Sequence, residues 1–586
     1  MKRCSILLVA CLLIAGVAGA QGTFSDATHL LGRVTAARAV AWGDVNNDGW
    51  PDLLVGGATN TDTRLFINNH DGSAHFTDAT AEYNIPALHI QDVRRLQWLD
   101  VNGDGLLDLF VMMDNATQIR LFRQIANHRF QPVPLTIGRT FAATVTSAAW
   151  VDMDGDGRLD LVLSCGATIH EAPLVLRQRT NQFIQMRDAP FATGLSAVGA
   201  MAFCDYNMDG RLDVFTGYGP TEEPAHFYCN RGSHWDELSK QSSLQAKCGA
   251  SGAVWFDYDN DQWPDLFVPG MSKPQIQFYR NVRDGQERFL QAVAMPDNLI
   301  ESAVDGIWAD AVDFNMDGWM DLFIVKGNHE GCSLMMNSDG RVWKDKAGLV
   351  GIANQGTNIK SAAWADYDGD GSPDLAMVLE NGTVRLYRNG IIPQPFLRVN
   401  LLGTLTNTPM TNCVAKMSFE NCKQMAAVAP LACGMGGDAT TLTLVNNAFG
   451  NPNVGSLSVR WPNGMTQTYS MTNLAWYTTT NLHMPVAPNP PQEPEAPEVA
   501  VASEIIVSPN PFNPTTNLSF TLTNSANVSL TIFNMLGQQV AELAHGPLGA
   551  GEHRLTFDAS ALPSGMYFSR LTVNGVPNVK RMMLAK

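Results

Sequence analysis

Asp44-Val45-Asn46-Asn47-Asp48-Gly49-Trp50-Pro51-Asp52 is a tight acidic turn with an oxygen-bearing side chain at positions 1, 3, 5 and 9 and glycine at position 6. The same pattern starts again at Asp100, Asp152, Asp205, Asp257, Asp313 and Asp366, at intervals of 56, 52, 53, 52, 56 and 53 residues. Seven copies at so even a spacing mark an internal repeat of about 50 residues, and a repeat of that length decides the architecture before any other signal does.

Working outward, each turn lies between two apolar segments. Ala39-Val40-Ala41-Trp42 and Ser147-Ala148-Ala149-Trp150 precede turns; Asp52-Leu53-Leu54-Val55 and Asp160-Leu161-Val162-Leu163 follow them. A third segment comes next, as in Arg64–Ile67, Arg120–Phe122, Gln277–Tyr279 and Arg385–Tyr387. A fourth opens with Phe76, Phe130, Phe183, Trp235, Phe289 or Trp343. Four short strands per repeat predict a propeller blade, and the chain is read as an all-β, seven-bladed β-propeller followed by further β domains. The seventh repeat lacks a fourth strand of its own. Phe24-Ser25-Asp26-Ala27-Thr28 closely matches Phe76-Thr77-Asp78-Ala79-Thr80, so the N-terminal segment is expected to pair with Arg385–Tyr387 and close the ring. Closure removes the exposed sheet edges that an open array would leave.

The turns have the ligand pattern of a calcium site. Side chains at positions 1, 3 and 5, the carbonyl at position 7 and the carboxylate at position 9 supply hard oxygen donors, and glycine at position 6 permits the sharp bend. The predicted ligands are Asp44, Asn46, Asp48, Trp50 and Asp52 in turn 1, and Asp100, Asn102, Asp104, Leu106 and Asp108 in turn 2. Asp152, Asp154, Asp156, Arg158 and Asp160 form turn 3; Asp205, Asn207, Asp209, Arg211 and Asp213 form turn 4. Turn 5 has Asp257, Asp259, Asp261, Trp263 and Asp265, turn 6 has Asp313, Asn315, Asp317, Trp319 and Asp321, and turn 7 has Asp366, Asp368, Asp370, Ser372 and Asp374. Up to seven structural Ca2+ ions are implied. Turn 5 departs from the rest, with Gln262 in place of glycine, and is expected to be the weakest site if that position needs a positive φ. Trp42, Trp98, Trp150, Phe203, Trp255 and Trp364 stand two residues before six of the turns and are read as packing between blades rather than as sugar-stacking platforms.

The turns account for the charge. The net formal charge is −17, and 24 of the 56 acidic residues lie in the seven turns. Seven divalent ions would bring −17 to about −3, so the acidity reflects metal rather than a cationic partner. An acidic surface excludes nucleic acid, whose phosphates require a basic one. Lys2, Arg3, the apolar run Ile6–Val17 and Ala18-Gly19-Ala20 have the form of a signal peptide over 1–20, too short for a membrane span. Beyond it lie eight cysteines, Cys165, Cys204, Cys229, Cys248, Cys332, Cys413, Cys422 and Cys433; their even number in an exported chain permits disulfides without fixing the pairing.

The repeats resemble the FG-GAP/VCBS repeats of integrin-α-like propellers, over residues 24–390; the resemblance implies structural calcium at the turns and partner binding on a face of the disc. Leu397-Arg398-Val399-Asn400-Leu401-Leu402-Gly403, Asn407 and Val459-Arg460-Trp461-Pro462-Asn463-Gly464 resemble the ASPIC/UnbV domain, and the combination is similar to the cartilage-acidic-protein-like family. Ser508-Pro509-Asn510-Pro511-Phe512, the strand Val528–Asn534, Leu562-Pro563-Ser564-Gly565-Met566-Tyr567-Phe568 and the basic Lys580-Arg581 resemble the C-terminal sorting domain of type IX (Por) secretion, an Ig-like β-sandwich. That resemblance implies export to the outer cell surface and engagement of the type IX machinery. The domain reading is therefore a signal peptide at 1–20, a propeller at 21–394, a β domain at 395–485, a Pro-rich linker at 486–503 and a sorting domain at 504–586.

These features point to a secreted or cell-surface calcium-binding propeller that binds a glycan or protein ligand and is not an enzyme. The alternative is an extracellular polysaccharide lyase or hydrolase, with His170, His226, His234 and His329 placed in inter-strand loops where an acid/base pair could assemble. A purely structural surface component is a third reading. No nucleophile elbow, phosphate loop or dinucleotide fingerprint stands out.

Overall fold

The structure is a computed structural model. It describes residues 24–483 and 505–586, apart from 71–75, 115–118, 127, 136–144, 166–172, 180–181, 187–197, 219–224, 240–251, 271–275, 283–288, 292–296, 355, 392–395, 403–413, 419–422, 428–430, 433–440, 446–454, 462–464, 471–473, 475–478, 523–524, 536 and 574–575. The expected leader at 1–20, the linker at 486–503, His170, Cys248, Cys413, Cys422 and Cys433 lie outside the described residues.

Two compact units divide the chain, at Val486 and Ala487. In the first, each repeat forms a four-stranded antiparallel meander. Blade 1 runs Ala37–Gly43, Asp52–Gly57, Arg64–Asn68 and Phe76–Asp78, ordered from inner to outer strand. Blade 6 repeats the pattern with Gly306–Val312, Asp321–Lys326, Cys332–Asn337 and Trp343–Asp345. Among the described residues there are seven such sheets, one for each acidic turn. The seventh combines Ile359–Ala365, Asp374–Leu379 and Val384–Asn389 with the N-terminal strand Phe24–Asp26. Phe24 pairs with Asn389, Ser25 with Arg388 and Asp26 with Tyr387, the expected closure on the strand that holds Arg385–Tyr387. Arg385 Nη1 also contacts Asp26 Oδ2 at 2.9 Å.

The core lies between the sheets. Strands are apolar on both faces because each sheet is sandwiched by its two neighbours. Each successive pair of blades shares a cluster of buried side chains, and one further cluster joins blade 7 to blade 1. In that last cluster Trp42 stacks on Tyr367 with planes 5° apart, and its Nε1 donates to the Ala363 carbonyl at 3.1 Å. The aromatic column before the turns is thus core: Trp42, Trp98, Trp150, Phe203 and Trp364 are buried and Trp255 is half-buried.

After blade 7 the chain builds two small sheets. Phe396–Leu402 lies between Thr441–Val445 and, in parallel, Thr479–His483; Val414–Ser418 lies between Lys423–Ala427 and Ser456–Arg460, which in turn pairs with Thr466–Ser470. Leu397, Val399, Ala415, Leu457, Val459 and Trp461 are buried there. A two-residue strand, Leu431–Ala432, leaves this region and pairs with Trp150 and Ala149 on the inner strand of blade 3. The second unit is a β-sandwich. A sheet of Ile506–Ser508, Thr515–Leu522 and Gly551–Asp558 faces one of Gln539–Leu548, Ala526–Asn534, Gly565–Val573 and Val576–Leu584, with Leu518, Phe520, Leu530, Ile532, Phe557 and Leu571 in a shared core. No helix among the described residues is long and apolar enough to cross a membrane.

Candidate metal centres

Every acidic turn connects the inner strand of its blade to the second strand, and the turns are wound by nearly the same hydrogen bonds. The carboxylate at position 1 accepts from the backbone N–H at position 6 in every turn and, in turns 1 to 6, also from that at position 5: Asp44 from Asp48 at 2.9 Å and Gly49 at 2.8 Å, Asp313 from Asp317 at 3.1 Å and Gly318 at 2.8 Å; in turn 7 the Asp370 N–H donates to Asp368 at 3.2 Å instead. The N–H at position 7 donates to the carboxylate at position 5, at 2.9 Å for both Trp50 and Trp319. Position 6 has positive φ throughout, from 82° at Gly157 to 100° at Gly371 where it is glycine, and 69° at Gln262. Gln262 therefore holds a backbone conformation that a Cβ disfavours, as the sequence pattern anticipated.

Position 9 has a second role that the ligand pattern does not reveal. Asp52, Asp108, Asp160, Asp213, Asp265, Asp321 and Asp374 are fully buried. One oxygen accepts from the N–H at position 2 of the turn, as in Val45 to Asp52 at 3.0 Å and Phe314 to Asp321 at 3.2 Å. The other accepts the N–H of an amide residue on the third strand, such as Asn68 at 2.8 Å and Asn337 at 2.7 Å. This carboxylate joins three segments of a blade.

The same amide residues join the blades. Asn68 donates through Nδ2 to Tyr367 O at 2.6 Å, Gln124 through Nε2 to Val45 O at 3.1 Å, and Gln178 to Val101 O at 2.8 Å. Asn230 reaches Met153 O at 3.5 Å, Asn281 reaches Tyr206 O at 2.9 Å, Asn337 reaches Tyr258 O at 2.8 Å and Asn389 reaches Phe314 O at 2.8 Å. Each bond runs to position 2 of the preceding turn, and the one from Asn68 returns to the last turn. The sequence reading missed this column. Its signal is a buried Asn or Gln 15–18 residues after each position-9 aspartate.

The electrostatics are those of crowded, buried acids. Burial pushes Asp52 up to about 8, and Asp108, Asp160 and Asp257 to about 7, with neighbouring carboxylates of the same turn adding to the rise against the backbone N–H groups that oppose it. Burial also raises Asp213, Asp265, Asp321 and Asp374 well above the usual carboxylate range. Oxygens of Asp152, Asp154 and Asp156, of Asp257, Asp259 and Asp265, and of Asp366, Asp368 and Asp374 converge to within 4.8 Å of one another. Asp366 Oδ1 is buried with no hydrogen-bond partner. An orphaned carboxylate oxygen in a converging oxygen set is what a hard divalent cation satisfies.

Basic side chains reach several turns. Arg177 pairs with Asp154, Arg280 Nη2 with Asp259 at 2.6 Å, and Arg388 with Asp368. From the small β domain, Arg398 pairs with Asp366, Arg460 Nη2 lies 2.7 Å from Asp205 Oδ2, and Lys416 Nζ lies over the Trp263 ring at 5.6 Å. The β domain is thus seated against turns 4, 5 and 7. Among the described residues, the histidine candidates His226, His234 and His329 each meet a different carboxylate, with His234 Nε2 3.3 Å from Asp236. His226 opens the third strand of blade 4 rather than sitting in a loop, and its Nδ1 meets Glu237 at 2.8 Å; His329 meets Glu380 at 3.1 Å across the junction of blades 6 and 7.

Comparisons with known proteins agree with this architecture. Residues 44–111, 100–163, 205–268, 257–324 and 313–377, together half of the chain, match the FG-GAP-like repeat, and residues 507–585 match the secretion system C-terminal sorting domain. Human cartilage acidic protein 1 is 30% identical over 174 residues, 27% of this chain and 25% of that protein. Rat T-cell immunomodulatory protein is 24% identical over 309 residues, 48% of this chain and 49% of that protein. The chain thus spans half or less of the length of the curated relatives it matches. An ancestral GH74 enzyme of known structure overlaps 96% of this chain and 63% of its own at 8% identity, with a TM-score of 0.34, too low to transfer anything. The sorting domain marks the protein for secretion and attachment at the cell surface by the type IX route. With the repeat filling half its length, the chain belongs to the FG-GAP-like repeat family and carries a type IX sorting domain at its C-terminal end.

Proposed function

We propose that the protein is a non-enzymatic surface binding protein whose blades are stapled by calcium at the acidic turns. The observation that carries the reading is repetition: the same turn, with the same hydrogen bond from position 6 to position 1, recurs in every blade. A reaction centre is built once, whereas a staple is needed wherever a blade must be held. Bound Ca2+ would supply two positive charges to a cage of four or five oxygens and favour the ionised carboxylates. The chain's own part is to position those oxygens, with Asp at positions 1, 5 and 9 locked by backbone N–H groups and Asn or Asp at position 3 beside them.

An antiparallel meander places the acidic turns at one end of each blade and the second-to-third strand connections at the other. Contacts from the β domain at turns 4, 5 and 7 favour the opposite face as the partner-binding surface. Its ligand is a glycan or a protein. The test is a glycan and protein array probed with the mature propeller, with and without chelator, alongside its melting temperature. Binding that requires calcium, together with a chelator-induced drop in melting temperature, supports the reading, because an ion bound only to the folded form stabilises it by mass action. Turnover of a polysaccharide that a single His or Glu substitution abolishes without unfolding the protein would replace it with the enzyme reading.

A further inference from the structure

The residue just before the amide on each third strand is Ile67, Arg123, Arg177, Cys229, Arg280, Met336 and Arg388 in blades 1 to 7. Position 3 of the corresponding turns is Asn46, Asn102, Asp154, Asn207, Asp259, Asn315 and Asp368. Every turn with a fourth aspartate has arginine on its third strand. In blades 1, 4 and 6, where position 3 is asparagine, the strand residue is uncharged.

The contacts explain the match. In the asparagine turns, Nδ2 at position 3 donates to the carboxylate at position 5: Asn46 to Asp48 at 2.7 Å, Asn102 to Asp104 at 2.7 Å, Asn207 to Asp209 at 3.2 Å and Asn315 to Asp317 at 2.8 Å. An aspartate at position 3 has no proton to donate and would face the position-5 carboxylate as a like charge. In turns 5 and 7 the arginine supplies the missing donor to both carboxylates. Arg280 Nη2 lies 2.6 Å from Asp259 and 3.3 Å from Asp261; Arg388 pairs with Asp368 and lies 3.2 Å from Asp370. In turn 3 the task is shared, with Arg177 on Asp154, and Arg158 and Arg179 on Asp156 at 2.5 and 3.6 Å.

We propose that Arg177, Arg280 and Arg388 are resident counter-ions of the four-aspartate turns, holding the fourth carboxylate in the cage and standing in for cation charge until calcium binds. An Asp–Arg pair thereby replaces the self-sufficient asparagine of the other turns. Blade 2 is the mismatched copy: Arg123 stands at the same strand position in a blade whose turn has Asn102 at position 3. The inference rests on calcium occupying the turns and goes beyond it by naming residues outside the ligand set that govern the metal-free state.

The test is a thermodynamic cycle in the full mature chain. Arg280→Met, Asp259→Asn and the double variant, which copies the Met336 and Asn315 of blade 6, are melted in chelator and in saturating calcium. In chelator, Arg280→Met is expected to lower the melting temperature by about 1–2 °C, because the two carboxylates then face each other without the Arg280 charge that bridges them. The double variant should recover that loss, and saturating calcium should abolish it, because the dication takes over the charge. A merely structural arginine would give the same loss in both media and no recovery in the double variant, and either result overturns the proposal. Asn102→Asp gives an independent arm: Arg123 should make it neutral or stabilising in chelator, whereas Asn315→Asp, with Met336 alongside, should destabilise; equal losses count against the inference. A wild type indifferent to chelator removes the calcium reading and this inference together; a calcium-responsive wild type with an additive cycle removes the inference alone.

Discussion

Replacing Asn337 by alanine isolates one link of the blade-to-blade amide ring. The side chain is fully buried; its Nδ2 donates to Tyr258 O of blade 5 at 2.8 Å and to Met320 O at 3.2 Å, and its Oδ1 accepts from Gly340 N–H at 2.8 Å. Alanine keeps the backbone N–H that binds Asp321 at 2.7 Å, so the turn retains its anchor. Three hydrogen bonds at a net value of about 1 kcal/mol each give a loss of about 3 kcal/mol, more if the Tyr258 carbonyl finds no water. Unfolding entropy of about 2.1 cal/mol/K per residue over roughly 370 propeller residues is about 0.8 kcal/mol/K, so the melting temperature should fall by about 4 °C. Scanning calorimetry in saturating calcium measures this with the metal term held fixed. Asn68→Ala should cost a similar amount, since Asn68 makes the closing bond of the same ring to Tyr367. A drop below about 1 °C for Asn337→Ala would show that the amide ring is incidental to stability and that the apolar interfaces alone hold the blades together.

Two further outcomes follow from the turns. Gln262→Gly relieves a side chain held at a φ of 69° and should stabilise the protein by roughly 1 kcal/mol, raising calcium occupancy of turn 5 in crystals titrated with the ion. The metal-free protein should lose stability as pH rises: folded-state values of about 7 for Asp108, Asp160 and Asp257 and about 8 for Asp52 exceed the unfolded value near 4, so the folded form holds extra protons, and that contribution is complete below pH 4 and lost as pH rises through 7 to 8. Melting in chelator between pH 5.5 and 8.5 checks the sign, and calcium added at pH 6.5 in weak buffer should release protons, because the ion takes the ionised carboxylates.

Much of this molecule was legible in the sequence because its repeats make each feature recur. The acidic turns mark the boundary between first and second strands, and the apolar runs on either side give the strands themselves. The match between Phe24–Thr28 and Phe76–Thr80 was enough to place the closing strand on Val384–Asn389. The amide column was harder to read. Asn68, Gln124 and their counterparts look like ordinary strand-end polar residues, and only burial and a partner in the preceding blade reveal their role. His226 was misplaced for a related reason: a polar residue at the head of a strand resembles the end of a loop until its pairing with Thr216 is seen. The contacts of Arg398, Lys416 and Arg460 were beyond local pattern altogether, since each arrives at a turn from a different part of the chain.

Those cations change how a net charge of −17 should be read. Strongly acidic composition ordinarily suggests a solvated surface or a basic partner. Here the acids are gathered into turns, and the protein answers them at three levels. Backbone N–H groups bind the carboxylates at positions 1 and 9, which is why those residues can be buried at all. Guanidinium groups from the third strands answer the fourth aspartate where one is present. The β domain adds Arg398 and Arg460 against the first aspartates of turns 7 and 4. Even so, Asp366 Oδ1, in a turn served by both Arg388 and Arg398, is left without a partner, so protein cations do not complete the cage. On the calcium reading proposed above, the excess negative charge is internal and local and is answered by ions at the turns rather than by an extended basic surface, so a ligand for the propeller is to be sought by shape and hydrogen bonding rather than by charge.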